Sequence, residues 1–236
     1  MSLRKKSKIL EGNSKKIYST ADQGKLILEF KDESVVFDGQ KKESVKGKGN
    51  INNQISAYFF EYLDGFHIPT HFIKSLSTKD MLVKELEMIP VEVCVRNIIA
   101  GSLVKRFGME EGRELPCPIL EFHLKNEKLK NPMVNHSHIV AFDIAMLDEL
   151  KMIERLSSKI NAVLKSFFLR RQIKLIDFKI EFGRLKDKIV LGDEISPDTF
   201  RVWDLSNSGE TDKDKFSFGS KNAELAYENI KSRILS

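Results

Sequence analysis

Two neighbouring β-prone runs late in the chain constrain its fold more than any other feature. In the first run, Leu175–Phe182, apolar residues alternate with charged ones, and in the second, Ile189–Glu194, apolar residues lead. Side chains alternate between the two faces of a strand, so the first run has one apolar and one charged face. Gly183 and the charged turn 184–188 separate the runs. The pattern predicts an antiparallel hairpin with one face buried.

The charged face of this hairpin is a candidate magnesium site. If the hairpin centres on Asp187, Glu181 lies directly opposite Asp193. Opposed Cβ atoms are about 4.5–5.5 Å apart, and like charges there destabilise the pair. A Mg²⁺ ion that also binds ATP phosphates would compensate, because magnesium is commonly held by one or two carboxylates plus phosphate oxygens. The alternative is a charged strand face that only contacts solvent.

Three stretches have the periodicity of amphipathic helices. The first is predicted to begin after a cap at Asn50 and to end at Gly65. The longest spans about residues 145–170, with Asp143 as its predicted cap, and the last spans about 223–234. Strands dominate the early part of the chain and mix with helices later. This order predicts an α+β fold with antiparallel sheets and flanking helices.

A domain boundary is predicted at Met88-Ile89-Pro90, which interrupts the strand pattern. It divides the chain into a β-rich N-terminal lobe, residues 1–88, and an α+β C-terminal lobe, residues 89–236. Beyond the boundary, apolar and polar residues alternate in Val91–Arg96, which predicts a half-buried strand.

Composition favours a cytoplasmic protein that binds anions. The 236 residues are 41% hydrophobic, contain only two cysteines and carry a formal net charge of +5. No stretch approaches the roughly 18 apolar residues of a membrane span. The basic N-terminus lacks the apolar core of a signal peptide. A mild basic excess attracts small polyanions or nucleic acid.

The turn at Glu11–Lys16, between two β-prone runs, could place backbone N–H groups and a lysine over phosphates. A purely structural hairpin is the alternative. The Gly47–Gly49 run has neither dinucleotide-binding nor Walker spacing, which excludes both of those phosphate sites.

Six motifs occur in a fixed order along nearly the whole chain. They are Glu11–Tyr18 (EGNSKKIY), Gly47–Ser56 (GKGNINNQIS), Val91–Gly108 (VEVCVRNIIAGSLVKRFG), Asp177–Gly183 (DFKIEFG), Gly192–Thr199 (GDEISPDT) and Asp212–Phe216 (DKDKF). Together they resemble the family of phosphoribosylaminoimidazole-succinocarboxamide synthases, the SAICAR synthetases. The third and fifth motifs are long and specific.

The resemblance implies a reaction and a fold. ATP would activate the carboxylate of carboxyaminoimidazole ribonucleotide (CAIR) as an acyl phosphate, and the amine of L-aspartate would then displace phosphate. The implied fold is an ATP-grasp or kinase-like arrangement with ATP between two lobes. A homodimer is also implied, with ATP and Mg²⁺ as cofactors and neither nucleic acid nor membrane as partner.

Site residues follow from the resemblance where the motifs match. The implied ATP contacts are Gly12, Lys15, Lys84, the segment around Met88, and the magnesium ligands Glu181 and Asp193. The implied catalytic residues are Glu181, Asp193 and Lys179, the last neutralising charge on the transferred phosphoryl group. The implied contacts with the nucleotide substrate are Arg96, Ser102, Lys125, Asp177, Arg201 and Lys215. Arginine suits this role because its planar fork binds phosphate oxygens in pairs.

Two other function classes are compatible with parts of the sequence. A nucleic-acid-binding module would concentrate its basic residues on one face and expose aromatic rings for stacking. Here the basic residues are scattered, and Phe167, Phe178 and Phe182 fall at buried-looking positions. A kinase shares the need for ATP, but the sequence lacks HRD-like and DFG strings.

Four positions depart from the family pattern, namely Asn13, Asn131, His136 and Lys215. An acid commonly occupies the position of His136. We expect His136→Glu to change the substrate KM by less than about tenfold, or roughly 1.4 kcal/mol. Steady-state kinetics would measure this change, and a collapse of kcat would instead make His136 a catalytic residue.

Overall fold

The computed structural model describes residues 4–36, 41–207, 210–212, 216, 218 and 222–236. Its contacts divide the chain into two compact units. The first comprises Met1–Leu86, Glu194–Asp198 and Asp214–Ser236, and the second comprises Glu87–Asp193 and Thr199–Lys213. The main division lies within two residues of the boundary predicted from the sequence. The C-terminal part of the predicted second lobe, however, groups with the first unit.

The described chain alternates strands with a smaller number of helices. The strands are β1 (Lys8–Glu11), β2 (Lys15–Ser19), β3 (Lys25–Phe30), β4 (Glu33–Val36), β5 (Lys41–Ser44), β6 (Phe72–Ser75), β7 (Asp80–Lys84), β8 (Glu87–Ile98), β9 (Glu114–Leu124), β10 (Met133–Val134), β11 (Ile173–Leu185), β12 (Lys188–Gly192), β13 (Phe200–Asn207) and β14 (Glu210–Asp212). The helices are α1 (Lys48–Asp64), α2 (Ser102–Phe107), α3 (His136–Ala141), α4 (Leu147–Leu169) and α5 (Ala223–Leu235), with a 3₁₀ turn at Glu127–Leu129.

The first unit contains a five-stranded sheet in the order β1-β2-β3-β7-β6 and a separate β4-β5 hairpin. Helix α1 packs against β3, β6 and β7, and α5 packs on α1. The second unit contains a seven-stranded sheet in the order β10-β9-β8-β11-β13-β14, with β12 paired to β11. All described strand pairs are antiparallel. The predicted α+β class is confirmed.

Helix α1 begins earlier than the sequence predicted. Its N-cap is Gly47, with a φ of 79°, so Asn50 lies inside the first turn and is not the cap. The Gly49 N–H instead donates to Oδ1 of Asp32 at 2.8 Å, so a distant carboxylate satisfies this helix end. A Cβ on Gly49 would lie 2.7 Å from the Phe30 carbonyl oxygen, which leaves room only for glycine. The predicted end at Gly65 is confirmed.

Helix α4 covers one face of the second unit's sheet, where it packs against β8, β11 and β12. A reciprocal amide pair shows which face this is. The Nδ2 of Asn97 on β8 donates to Oδ1 of Asn161 on α4, and Nδ2 of Asn161 donates back, both at 2.9 Å. Asn97 shares its strand face with Val93 and Val95, so the apolar side of β8 lies under α4.

The start of α4 also differs from the prediction. Met146 is the N-cap, and its N–H donates to the Glu149 side chain at 2.8 Å. Asp143, with a φ of 55°, lies before this cap and outside the helix. Glu149 also accepts two bonds from Arg184 of β11, from Nε at 2.5 Å and from Nη2 at 2.9 Å. One carboxylate therefore caps the helix and joins it to the sheet.

The predicted interruption at Met88-Ile89-Pro90 is wrong in its local form, because β8 runs continuously through it. Met88 pairs with Gly183 and Glu92 pairs with Glu181, so the register of β8 against β11 shifts between these pairs. Pro90 lies within the irregularity, where its lack of an N–H removes no regular ladder bond.

No helix in the described part of the chain has the length and apolar character needed to cross a membrane.

The buried residues include one histidine, His71, whose Nε2 has no hydrogen-bond partner among the described residues. Burial, and then the positive charges of Lys15 and Lys84, lower the pKa of His71 from 6.5 to about 3. The imidazole is therefore neutral in the folded first unit.

We expect His71 to make the protein less stable in mild acid. Because its folded pKa is depressed, the unfolded chain binds the extra proton first as the pH falls below 6.5. Between pH 7 and pH 5 the wild type should lose about 2 kcal/mol more unfolding free energy than His71→Gln. Urea titrations at both pH values would measure this, with His67→Asn as the exposed-histidine control. Equal losses in wild type and His71→Gln would contradict the expectation.

Candidate functional site

The polar face of the second unit's sheet carries most of the predicted site residues. Residues directly opposite each other in an antiparallel pair lie on the same face. The opposed pairs that define this face are Asp177 with Arg96, Asp177 with Arg201, Lys179 with Cys94, Glu181 with Glu92, Cys94 with Glu121 and Glu92 with His123. The alternate residues of β8 and β11 face α4. The charged side of β11 is thus part of a continuous polar surface on four strands.

Four predicted substrate contacts meet on this surface. Arg96 donates from Nη1 to Asp177 Oδ2 at 3.3 Å and from Nη2 to Ser102 Oγ at 2.9 Å. Arg201 donates to both oxygens of Asp177, from Nη2 to Oδ2 and from Nε to Oδ1. Arg96 and Asp177 are buried, whereas the Arg201 side chain is 38% exposed. Two guanidinium groups and a hydroxyl are donors of the kind that bind phosphate oxygens.

Gly101, at the start of α2, leaves room for Arg201. Its backbone has φ 56° and ψ −116°, a conformation that favours glycine. A Cβ at this position would lie 2.5 Å from Nη1 of Arg201. Any larger residue would therefore displace the guanidinium group.

Two lysines neutralise a pair of glutamates farther along the same face. Lys125 Nζ lies 2.6 Å from Oε2 of Glu181, and Lys179 Nζ lies 2.8 Å from Oε1 of Glu92. Glu92 is directly opposite Glu181 across β8 and β11. The carboxylate opposite Glu181 was not identified from the sequence, although its alternation with Arg96 placed both on one strand face. Strand pairing across some 90 residues could not be predicted from local pattern.

The predicted opposition of Glu181 and Asp193 is wrong. Leu185 pairs with Lys188, so the turn has only two residues and Gly192 lies opposite Glu181. Lys186, with a φ of 55°, provides the positive φ that this tight turn uses. Asp193 follows the end of β12 with a φ of 57°. The roles of Glu181 and Asp193 toward magnesium stay predictions.

Cys94 lies between charged neighbours on the polar face but is not activated. Burial raises the pKa of its thiol to about 12, more than the lowering effect of Arg96. Since the thiolate is the reactive form, this cysteine is inert at neutral pH.

In the first unit, Lys15 is held by a buried carboxylate. Its Nζ lies 2.5 Å from Oε1 of Glu194, which also accepts from Ser14 Oγ at 2.9 Å. Ser196 Oγ donates to the other oxygen at 2.5 Å. The Gly12 N–H donates to the Lys15 carbonyl at 2.9 Å and closes the β1–β2 turn. Glu194 was not identified from the sequence, because only the fold brings these two motifs together.

The remaining predicted residues have different surroundings. Lys84 Nζ donates to the Thr70 carbonyl at 3.1 Å, and Met88 is 41% exposed on β8. Lys215 lies outside the described residues. Nε2 of His136 lies 3.1 Å from Oε1 of Glu154. A carboxylate is therefore present beside the position where the family commonly has an acid.

The described part of the chain has no group of three His, Cys, Asp or Glu side chains arranged to bind a metal ion. It therefore offers Mg²⁺ no full set of protein ligands. This fits an ion bound mainly through nucleotide phosphates, for which one or two carboxylates suffice.

Comparison with known proteins places this geometry in context. A family model described as SAICAR synthetase matches residues 8–234. The chain is 46% identical over 233 residues to phosphoribosylaminoimidazole-succinocarboxamide synthase of Chloroherpeton thalassium, covering 99% of each. It resembles the crystal structure of the enzyme of that name from Ehrlichia chaffeensis, with a TM-score of 0.90, 40% identity, and coverage of 97% of this chain and 98% of the other. It also resembles a SAICAR synthetase in complex with ADP, with a TM-score of 0.88, 46% identity, and coverage of 95% and 96%.

We expect Gly101→Ala to weaken binding of a nucleotide 5′-phosphate by at least about tenfold, or roughly 1.4 kcal/mol, because the new methyl group displaces Arg201. Titration calorimetry with CAIR would measure this change. The control is Gly108→Ala at the other end of α2, where φ is 62° and ψ is 24°, in the left-handed helical region, and where a Cβ would have nothing within 4 Å. Equal weakening in both variants would point to helix strain instead.

Proposed function

The chain belongs to the SAICAR synthetase family, as its motifs predicted, and from this premise we propose that it joins L-aspartate to CAIR with ATP. The products are SAICAR, ADP and phosphate, and the reaction is a carbon–nitrogen ligation of de novo purine synthesis. The likeness covers nearly the full length of the chain and of its relatives, so it applies to the whole catalytic unit.

The meeting of Arg96, Ser102, Asp177 and Arg201 is the observation that carries the proposal. CAIR is a phosphate monoester, and two arginines with a hydroxyl form a suitable 5′-phosphate subsite. Asp177 holds both arginines in place. Its proposed contact with the substrate rests on its motif. Lys215 is assigned to the same substrate by its motif alone.

The reaction divides into two displacements. A carboxylate oxygen of CAIR attacks the γ-phosphorus of ATP, the bond to the ADP oxygen breaks, and an acyl phosphate forms. The aspartate amine then attacks the acyl carbon, the bond to phosphate breaks, and the amine loses a proton as the amide forms. Neither step requires a protein nucleophile, which agrees with the inert thiol of Cys94.

The protein therefore contributes by positioning the substrates and by compensating the charge that develops during phosphoryl transfer. On the second unit, Lys179 is proposed to neutralise charge on the transferred phosphoryl group, and Lys125 to contact the substrate carboxylate. Both lysines carry an ion pair with a glutamate on the same sheet face, and both are about half exposed, so a ligand can reach them.

The proposed ATP contacts are the residues that the family motifs imply. The β1–β2 turn supplies Gly12 and Lys15, and β7 supplies Lys84. Met88 of β8 is the proposed adenine contact. A relative solved in complex with ADP supports nucleotide binding by this family. Glu181 and Asp193 would hold Mg²⁺, which neutralises phosphate charge when bound.

We also propose a cytoplasmic homodimer, as the resemblance implies. The two cysteines, Cys94 and Cys117, are free, which suits a reducing compartment. The proposed partners are small molecules only, with neither nucleic acid nor membrane among them.

The test is an omission assay on the purified protein. ADP formation is followed with ATP, Mg²⁺, CAIR and L-aspartate together, and then with each left out in turn. We expect ADP only when all four are present, with SAICAR identified by its mass. ADP formation without aspartate would instead identify a phosphotransferase, and no turnover with all four would contradict the proposal.

A pair of lysine variants on β11 excludes a contaminating enzyme. Lys179→Met should lower kcat by at least about a hundredfold, since removing one electrostatic stabiliser costs about 2.7–4 kcal/mol. Lys174→Met is the matched control on the same strand, where Lys174 pairs with Glu114. It should leave kcat within about twofold of wild type.

A further inference from the structure

A buried glutamate outside the set of predicted site residues lies beside Arg96. Glu121 is on β9, directly opposite Cys94, and only 5% exposed. Its Oε2 accepts a hydrogen bond from Nε of Arg96 at 2.6 Å, and its Oε1 accepts one from Nη1 of Arg106 at 2.7 Å. One carboxylate therefore binds an arginine of β8 and an arginine of the last turn of α2.

Glu121 is ionised at any working pH of the protein. Burial alone would raise its pKa, but the neighbouring His123, Arg96 and Arg106 side chains outweigh burial and lower it to about 2. A buried carboxylate of this kind is stable only while its cations stay in place. Arg96 is accordingly held from its Nε side before any ligand arrives.

The remaining donors of Arg96 are directed by this anchor. With Nε on Glu121, Nη1 lies toward Asp177 and Nη2 toward Ser102. These three partners come from β9, β11 and α2, so they fix both the position and the plane of the guanidinium group. A bidentate phosphate contact requires such a fixed plane.

We propose that Glu121 is a positioning residue for the 5′-phosphate subsite, acting through Arg96 rather than by contact with the substrate. This role rests on the proposed function, and Glu121 lies outside the six family motifs. Replacing the carboxylate by an amide removes the charge and one acceptor while keeping the shape. The single amide oxygen cannot serve both Arg96 and Arg106, and the ionic hold on Arg96 is lost, so the subsite loses its preset geometry.

The first measurement compares Glu121→Gln with wild type in the full reaction. We expect the KM for CAIR to rise at least tenfold while kcat and the KM for ATP stay within twofold. Glu121→Asp should recover part of the loss. The control is Glu114→Gln on the same strand, whose carboxylate pairs with Lys174 but is 66% exposed, and which should leave all three constants unchanged. Equal changes in the constants for CAIR and ATP would show a general structural effect and overturn the proposal.

A double-mutant cycle with Arg96→Lys decides whether Glu121 acts through Arg96. If it does, Glu121→Gln should change kcat/KM for CAIR by less than twofold once Arg96 is already replaced. Full additivity of the two losses would overturn the proposal. Calorimetric titration with CAIR provides the same cycle where a variant turns over too slowly. A wild type that does not turn over would contradict the proposed ligase reaction, whereas an active wild type with additive losses would contradict only the role of Glu121.

Discussion

The two-residue alternation along β11 is the constraint on which the second unit depends. From Asp177 to Phe182, every second side chain enters the core beneath α4, and the side chains between them form the polar face. The same backbone therefore fixes the packing of Phe178 and the position of Asp177. A shift of one residue in the register would exchange these two sets, burying charges and exposing aromatic rings. Stability of the core and geometry of the site consequently cannot be adjusted separately on this strand.

Ion pairs between charged side chains hold the polar face together, and most of them join different strands. Asp177 serves Arg96 and Arg201, while the glutamates of β8 and β11 are matched by lysines. Buried charges cost several kcal/mol each unless they are paired with good geometry. Because these pairs hold Arg96 and Arg201 in place, the remaining N–H donors of the two guanidinium groups are preset for an anion. Preset donors of this sort stabilise developing charge without reorganising during the reaction.

Local pattern predicted the fold class, the main helices and the shared face of β11, since each depends on neighbouring residues. Local pattern failed for features that depend on contacts or turn geometry beyond the pattern itself. Gly47, not Asn50, caps α1 because Asp32 satisfies the helix end, and the hairpin register shifted by one because its turn has two residues. The family motifs included Arg96, Asp177 and Arg201. The other carboxylates were found only from the fold: Glu92 beside Lys179, Glu121 beside Arg96 and Glu194 beside Lys15.

The reciprocal bond between Asn97 and Asn161 also limits how this sequence can diverge. Each buried amide satisfies the other, so changing one alone leaves a donor and an acceptor stranded between β8 and α4. Replacing both with apolar residues of similar volume removes the problem at once. The two positions should therefore drift together among homologous sequences, either as paired amides or as paired hydrocarbons, with mixed combinations rare. The contact between β8 and α4 at these two positions should therefore be conserved or replaced as a pair.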